Sequence, residues 1–320
     1  MVATFIKGRL GNQMFQYAFS KAIKIAQGND TPLIFDFSHV YKSGKSEDGW
    51  EDALRYFKVE KYRNEKIRTR KYTSILQKFI FSLYVLDGKF GFFFSKESWF
   101  SLFRKNGLLF VSNNGGNAQY YYPIYHKYLN HGTFEKIICM GYFEVPALFE
   151  DIKPILMEEF TPKLPPRTEN KYLYDVINST NSVCVTVRRG DYLDDRNKKK
   201  FFVCDINYFN AAIKKAKEVI QKPVFVFFSD DIEWVKSYIS VDAPSYYESG
   251  TDPVWEKLRL MYSCKHFIIS NSTFSWWAQY LSRNTENKVV ISPDHWFNIK
   301  KEGRSSLISD DFITIPCEYK

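Results

Sequence analysis

The sequence predicts an α/β protein built from two Rossmann-like domains facing a cleft. A strand, a glycine-containing break, a helix and a second strand follow one another over residues 2–37, and strands alternate with helices again from residue 183. A proline-punctuated stretch, 154–166, is expected to be a linker or a crossing between the two domains. Because 320 residues suffice for about two domains, we expect one domain over 1–160 and another over 161–320.

In the first half, the apolar run Val2–Ile6 predicts a strand, which the hexapeptide at 8–13 ends. Apolar residues at helical spacing then predict a helix that stops at Gly28, a residue type suited to follow the last helical turn. Further strands are predicted at Pro32–Phe37 and Ile137–Glu144. A strand, helix and strand in succession predict a parallel sheet.

In the second half, continuous apolar runs predict strands that are buried on both faces, at Val183–Val187, Val224–Phe228, His266–Ser270 and Lys288–Ser292. Apolar residues three and four positions apart predict the intervening helices, which begin near Asp205, Asp231, Asp252 and Asn271. Asp252 is expected to be an N-cap, with Pro253 in the first helical position.

Composition excludes several classes of protein. Hydrophobic residues make up 45% of the chain and charged residues 25%, which excludes a disordered tail, a collagen and a disulfide miniprotein. The five scattered cysteines include no C-x-x-C pair, which indicates a reducing compartment. The N-terminus carries Lys7 and Arg9 where a secretory signal needs an apolar run. The apolar stretch Phe79–Leu86 is too short to cross a bilayer, so we expect a cytoplasmic protein.

The positive charge is concentrated in residues 58–106. Twelve Lys and Arg against four Asp and Glu give this segment a net charge of +8, nearly the whole +9 of the chain, together with twelve aromatic residues. Three interpretations fit: a helical insertion with a solvated basic face and a packed aromatic face, a peripheral contact with the anionic inner membrane face, or nucleic-acid binding. No nucleic-acid motif accompanies the segment, so no nucleic-acid partner is expected.

Four motifs lie where α/β proteins bind ligands, beyond the carboxyl ends of strands. The first is Gly8–Gln13, whose glycines allow a ligand to approach and whose helix start offers N–H donors to an anion; the alternative is a plain strand–helix turn. The second is Arg188–Asp191. A guanidinium fork suits phosphate oxygens, and Asp191 can hold the fork in place; the alternative is a structural Arg–Asp pair.

The third motif is Ser229–Asp231, in which one carboxylate can accept from a ribose hydroxyl or a purine while the other caps a helix. Capping is an equally good explanation for either carboxylate. The fourth motif is Ser270–Ser275, a cluster of hydroxyls that can cradle a phosphate at a helix N-terminus or simply cap the helix. The following Trp276 and Trp277 are expected in the core.

Two further patterns are missing from the sequence. No D-x-D tripeptide is present, so a divalent metal on a nucleotide diphosphate has no obvious ligand set. No G-x-x-x-x-G-K-[ST] loop is present either, which disfavours an NTPase. We therefore expect no metal and no other cofactor, with arginine and helix N-termini neutralising the phosphates.

These motifs, in this order, resemble glycosyltransferase family 11, the α-1,2-fucosyltransferases. The resemblance spans most of the chain and is carried by five segments: Gly8–Tyr17, Gly141–Glu144, Val185–Tyr192, Phe228–Asp231 and Ser270–Trp277. It implies a GT-B-like fold with an acceptor-side first domain and a GDP-fucose-binding second domain. It also implies inverting, metal-independent transfer of L-fucose from GDP-L-fucose to the 2-hydroxyl of a galactose in a glycan. The wider fucosyltransferase group shares H-x-R-R-x-D, and here Thr186 replaces the histidine.

The resemblance implies a single displacement in which Arg188 stabilises the negative charge that develops on the β-phosphate. Asn12 matches a family position near the reaction centre. The residues expected to contact the donor are Gly8, Gly11, Arg189, Asp191, Asp230, Asp231, Ser272, Thr273 and Ser275. An inverting transfer also needs a base for the acceptor hydroxyl, and the sequence leaves Asp36, His39 and Glu144 as candidates.

Three rival functions remain at this stage. Another fucosyl linkage, α-1,6 or protein O-fucosyl, shares the arginine motif. A non-catalytic carbohydrate- or membrane-binding relative is suggested by the missing histidine. A nucleic-acid binder would rest on residues 58–106 alone. The sequence does not identify the acceptor or the oligomeric state.

Overall fold

The structure is a computed structural model that describes residues 1–28, 30, 32–43, 50–67, 74–90, 94–113, 134–284, 286–298 and 305–319. The chain forms two compact units. The first contains Met1–Leu54 and Val59–Leu156, and the second contains Arg55–Lys58 and Met157–Lys320. The short segment Arg55–Lys58 joins the second unit through a bridge between Phe57 and Pro162.

The first unit contains one parallel sheet within its described residues. Its strands are β1 (Val2–Phe5), β2 (Leu33–Asp36), β3 (Tyr62–Asn64), β4 (Leu108–Asn113) and β5 (Lys136–Gly141). They lie in the order β3-β2-β1-β5-β4, and every pairing is parallel. The predicted strands at the start and end of this half are confirmed. β3 and β4 were not predicted. β3 has no alternating or continuous apolar pattern, whereas β4 begins with the apolar run 108–111, a signal that could have identified it.

Helix α1 (Leu10–Ala26) follows β1, and α2 (Ser38–Ser43) follows β2. We expected α1 to begin after Gln13, but it begins at Leu10, so Gly11 and Asn12 lie in its first turn. Gly28 has a φ of 54°, the left-handed conformation expected just beyond a helix end.

The basic segment contains two helices, α3 (Ile75–Lys89) and α4 (Lys96–Lys105). Ser74 caps α3 through a reciprocal pair of hydrogen bonds with Gln77, and Ser95 caps α4. The inner faces of the two helices join the sheet in a small apolar cluster, whose buried members are Ile80, Trp99, Phe103, Leu108 and Ile138. A packed aromatic face therefore exists in this segment, as one of the three interpretations required.

The second unit also contains one parallel sheet within its described residues. Its strands are β6 (Asn181–Val187), β7 (Pro223–Ser229), β8 (Ser245–Tyr247), β9 (His266–Ile268), β10 (Val290–Pro293) and β11 (Ile313–Ile315). They lie in the order β8-β7-β6-β9-β10-β11, all parallel. This is the strand order of dinucleotide-binding domains. The prediction of an α/β protein with two Rossmann-like domains is confirmed.

The helices of the second unit, with the one that leads into it, are α5 (Lys153–Glu159), α6 (Lys171–Ser179), α7 (Asp195–Phe201), α8 (Ile206–Val219), α9 (Ile232–Tyr238), α10 (Val254–Ser263) and α11 (Thr273–Tyr280). The boundary between the two units, after Leu156, falls inside the stretch 154–166. The first part of this stretch is helical, because Pro154 lies in the first turn of α5, where a missing N–H is tolerated. One expectation was wrong. Pro253 itself is the N-cap of α10, so Asp252 lies one residue before it.

The core of the second unit lies between β6, β7, β9 and α8. Tyr208 of α8 is fully buried there, and its hydroxyl donates to the carbonyl oxygen of Ile269 at 2.6 Å, just beyond β9. Trp276 and Trp277 are buried, as predicted, and Trp277 packs edge-on against Phe160.

Candidate functional site

The chemically distinctive residues of the second unit come together at one edge of its sheet. The strand order reverses between β6 and β9, which are hydrogen-bonded neighbours, and β7 lies on the other side of β6. In open α/β sheets, ligands bind at the carboxyl edge where the strand order reverses. Arg188 follows β6, Asp230 follows β7, and Ser270–Thr273 follows β9, so three of the four sequence motifs meet there.

Arg188 lies between two carboxylates. Its Nη1 is 2.7 Å from Oδ2 of Asp230, and its Nη2 donates to Oδ1 of Asp191 at 2.5 Å. Burial lowers the pKa of Arg188, but the charges of Asp230 and Asp191 raise it more, and the net shift is upward. The two contacts fix the plane of the guanidinium. They use two of its five N–H donors. A fixed guanidinium can therefore present its remaining donors to an anion.

Arg189 has a different environment. Its guanidinium lies 3.7 Å from the centre of the Trp234 ring, and its Nε donates to Asp231 at 3.2 Å. Asp231 also caps α9 by accepting from the backbone N–H of Trp234. The backbone N–H of Arg189 donates to Oδ1 of Asp230 at 2.9 Å. Arg189 and Asp231 therefore hold the β6 and β7 loops together.

Gly190 is required by the closeness of Asp230. A Cβ atom at position 190 would lie 2.5 Å from Oδ2 of Asp230, well inside van der Waals contact. Since the backbone at Gly190 does not have a positive φ, this contact is the obstacle to a larger residue, which would have to displace the Asp230 carboxylate. The glycine in Arg-Arg-Gly-Asp thus allows Asp230 to reach Arg188.

The hydroxyl cluster after β9 is divided between the core and the edge of the sheet. Ser275 is buried, and its Oγ lies 3.1 Å from Oγ of the buried Ser270, which argues against a direct donor contact through Ser275. Ser272 is the N-cap of α11 and makes no capping bond through its side chain. Ser272 and Thr273 are half-buried at the helix start, where the N–H groups of a helix favour an anion.

Asn271 was not selected by the sequence analysis, although it ties this edge together. The side-chain Nδ2 of Asn271 donates to the carbonyl oxygens of Phe201 and Trp296 at 2.9 and 2.8 Å. The backbone carbonyl oxygen of Asn271 accepts from the hydroxyl of Tyr192 at 3.0 Å. Tyr192 also lies beside the Arg188 guanidinium. One asparagine thus links the β9 loop to the arginine loop.

Thr186 occupies the position of the family histidine and is buried. Its Oγ1 accepts from the backbone N–H of Ser270 at 3.1 Å and donates to the carbonyl oxygen of Ile268 at 3.4 Å. The hydroxyl therefore joins β6 to the end of β9 directly behind the motif. The replacement of the histidine leaves the two loops connected.

The first unit carries a second group of sequence-predicted residues at the carboxyl edge of its own sheet. Gly8 has a φ of 77°, and a Cβ atom there would collide with the side chain of Asn12. The side chains of Gln13 and Gln16 reach back to the turn: Gln13 donates to the carbonyl oxygen of Gly8 at 3.1 Å, and Gln16 exchanges two hydrogen bonds with the backbone of Lys7. These bonds hold the turn between β1 and α1 against the side of the helix.

The three candidates for the base differ in their surroundings. Both oxygens of the buried Asp36 accept backbone N–H groups, from Ser38 at 2.9 Å and from Ile67 at 2.8 Å, so this carboxylate holds two chain segments together. His39 is exposed, with Nδ1 3.3 Å from Oγ of Ser43. Glu144 is half-buried just beyond β5.

The backbone before Glu144 is strained. Phe143 has a φ of 54°, which a non-glycine residue rarely adopts, and its ring is fully buried and stacked on Phe19 with centroids 4.0 Å apart. Burial and the charge of Glu144 both raise the pKa of Tyr142. Strain of this kind persists where surrounding packing enforces it, often at functional sites, and here it sets the direction in which Glu144 leaves the strand.

Among the residues that the structure describes, no group of three or more His, Cys, Asp or Glu side chains is arranged to hold a metal ion. No helix in this described part is long and apolar enough to cross a membrane. The expectation of a metal-free reaction stays a prediction.

The strand order of the second unit is that of the dinucleotide-binding type of α/β fold, and Arg188 is held between two carboxylates at the point where that order reverses. Comparison with known proteins identifies the family to which the chain belongs. The family model described as Glycosyl transferase family 11 matches residues 122–307, and the chain belongs to this family. The resemblance inferred from the sequence motifs is confirmed.

Similar proteins include two from Escherichia coli. An alpha-1,2-colitosyltransferase is 30% identical over 328 residues, covering 100% of this chain and 97% of that protein. The O-antigen biosynthesis glycosyltransferase WbnK is 27% identical over 328 residues, covering 97% of this chain and 99% of that protein. Human galactoside alpha-(1,2)-fucosyltransferase 1 is 34% identical over 104 residues, which are 31% of this chain and 28% of that protein. The protein is thus a glycosyltransferase of family 11, similar to proteins named as fucosyl- and colitosyltransferases.

Proposed function

We propose that this protein transfers L-fucose from GDP-L-fucose to the 2-hydroxyl of a galactose residue in a glycan, with inversion and without a metal ion. The observation that carries the proposal is the Arg188 guanidinium, held by Asp191 and Asp230 at the point where the strand order of a dinucleotide-type sheet reverses. The similarity to α-1,2-linking transferases supports the linkage.

In the proposed reaction, the acceptor oxygen forms a bond to the anomeric carbon as the bond from that carbon to the β-phosphate oxygen breaks. The electron pair of the broken bond leaves with GDP, so negative charge grows on the β-phosphate. Arg188 and the N–H groups at the start of α11 stabilise this charge, which is the role of a preorganised electrostatic site. The N–H groups belong to a helix tip that also contains Ser272 and Thr273.

The proton of the acceptor hydroxyl goes to a base, and we propose Glu144 for this role. Each oxygen of Asp36 already accepts a backbone N–H group, and His39 is exposed in the first turn of α2. Glu144 is half-buried at the carboxyl edge of the sheet and follows a strained residue. A base must lie within hydrogen-bond reach of the proton that it removes. The fixed backbone before Glu144 favours a constant position of its carboxylate.

GDP-colitose is the second candidate donor, because a colitosyltransferase matches the full length of the chain. Colitose is L-fucose without its 3-hydroxyl. A site that hydrogen-bonds this hydroxyl rejects the deoxy sugar strongly, by up to about 10⁴- to 10⁵-fold. A site without that contact accepts both sugars at similar rates. A strong preference for GDP-L-fucose would therefore identify fucose as the natural donor and show that its 3-hydroxyl is bound.

For the acceptor, we propose a galactose-containing repeating unit of a bacterial surface polysaccharide. The support is the similarity to a protein of O-antigen biosynthesis, which covers 97% of this chain. We infer a cytoplasmic location from the scattered cysteines.

The test is incubation with GDP-L-fucose or GDP-colitose and a panel of galactose-terminated glycans, followed by linkage analysis of the product. The proposal expects an α-1,2-linked fucosyl product and an unchanged rate in EDTA. An α-1,6 linkage or a protein product would identify one of the rival transferases. Turnover of neither sugar nucleotide, by transfer or by hydrolysis, would identify a non-catalytic relative.

The matched variants are Arg188→Lys and Arg283→Lys. Both keep the charge and lose the fork, but Arg283 is exposed and 4.0 Å from Glu158, away from the candidate site. The proposal expects Arg188→Lys to be impaired and Arg283→Lys to behave as the wild type.

A further inference from the structure

Helix α3 has two apolar faces, and one of them lies open. The inner face packs against α4 and the sheet through Ile80 and Tyr84. On the outer face, Ile75 is 85% exposed, Phe79 60% and Phe90 67%. An apolar helix face normally packs against protein, so this outer face requires a partner.

The exposed residues form one continuous stripe. Ile75, Phe79, Leu83, Leu86 and Phe90 are separated by four, four, three and four positions. At 3.6 residues per turn this spacing places all five within about 80° of one another around the helix. The stripe runs the length of a 15-residue helix, about 22 Å at 1.5 Å per residue. Single exposed apolar residues are common on protein surfaces, but a continuous apolar stripe of this length marks an interaction site.

The charges near the stripe identify its partner. The sole acidic residue of α3 is Asp87, which is buried and accepts from Nε1 of Trp99 at 2.5 Å. The outer face therefore carries no negative side chain. Lys78 lies on the same helix, about 60° from Ile75 by the helical period, and Arg104 and Lys105 are exposed at the end of α4. The surrounding segment has a net charge of +8.

We propose that the outer face of α3 docks the protein onto an anionic lipid bilayer, with the stripe lying in the plane of the interface. A helix with apolar residues on one side and cations around them inserts its apolar face among the lipid headgroups, and anionic lipids attract the cations. The helix is too short to span the bilayer, so it lies on the surface. The proposal does not depend on which sugar the protein transfers.

The test is sedimentation of the full chain with phosphatidylcholine vesicles, with and without phosphatidylglycerol, at low and high salt. The wild-type protein is expected to bind vesicles that contain phosphatidylglycerol, and to bind less at high salt. Phe79→Ser/Leu86→Ser is expected to weaken binding at least about tenfold, since two largely exposed apolar side chains no longer enter the membrane. Lys78→Gln is expected to weaken binding about fivefold.

The matched control is Leu164→Ser/Tyr172→Ser, which removes side chains that are 52% and 66% exposed in the second unit. This control is expected to bind as the wild type does. The proposal is overturned if the wild type does not sediment with anionic vesicles, or if the control and the stripe variant lose binding equally. It is also overturned if the protein self-associates without vesicles and the stripe variant alone abolishes this, because the partner is then a second copy.

Discussion

Gly190→Ala is expected to disable the site without weakening the fold. The added Cβ would lie 2.5 Å from Oδ2 of Asp230, whereas ordinary contact begins at 3.4 Å. The carboxylate must therefore move by about 0.9 Å. That displacement breaks the contact between Asp230 and Nη1 of Arg188, now 2.7 Å, and strains the hydrogen bond from the backbone of Arg189 to the same carboxylate.

The size of the effect follows from this displacement. Misplacing a catalytic group by about 1 Å can cost about 10²-fold in rate, so we expect kcat to fall between about 10- and 100-fold. Stability should change little, because a Gly→Ala exchange at an unstrained backbone position shifts the free energy of unfolding by about 0.4–1 kcal/mol in the favourable direction. The glycine is exposed, so no core packing is disturbed.

The assay combines turnover of GDP-L-fucose with urea unfolding. Gly28→Ala is the matched control: its φ of 54° makes alanine unfavourable, yet no atom lies within 4 Å of the new Cβ. It should lose about 1–2 kcal/mol of stability and keep its activity. In Gly190→Ala/Asp230→Ser the clash is absent, so the double variant should be no slower than Asp230→Ser alone. Wild-type turnover by Gly190→Ala would refute the assigned role of Asp230.

Three further predictions concern single residues. Arg188→Lys should lower kcat at least about 10²-fold, the scale of a lost transition-state donor, and a near-normal kcat would remove Arg188 from its role. Thr186→Val should cost about 1–3 kcal/mol in urea unfolding because the buried N–H of Ser270 loses its acceptor; unchanged stability would contradict this. Glu144→Gln should lose at least about 10²-fold in activity with normal stability, whereas Asp36→Asn should lose stability first, and the reverse pattern would exchange the two roles.

The sequence predicted the second unit well, because each strand there is a continuous apolar run between capping residues. Val183–Val187 and Val224–Phe228 each fall within one residue or two of the observed strands. The short edge strands β8 and β11 were not predicted. Each has three half-buried or exposed residues, so the hydrophobic pattern that identifies a buried strand is absent, and their pairing depends on neighbours distant in the chain.

The sequence also identified the motifs of the site, but not the division of labour within them. Asp230 and Asp231 are adjacent and chemically identical, and the structure gives one to Arg188 and the other to Arg189 and the cap of α9. Asn271 was not selected because its hydrogen bonds reach carbonyl oxygens 25 and 70 positions away. The sequence alone does not indicate which distant residues lie next to Asn271, because that depends on the pairing of the strands.

The most direct measurement is the position of the diphosphate in a crystal of the protein grown with GDP. We expect the β-phosphate within hydrogen-bonding distance of the Arg188 guanidinium and of the backbone N–H groups that begin α11. A diphosphate bound at the carboxyl edge of the first unit's sheet, with Arg188 still enclosed by its two carboxylates and touching no phosphate oxygen, would contradict the proposed role of this site.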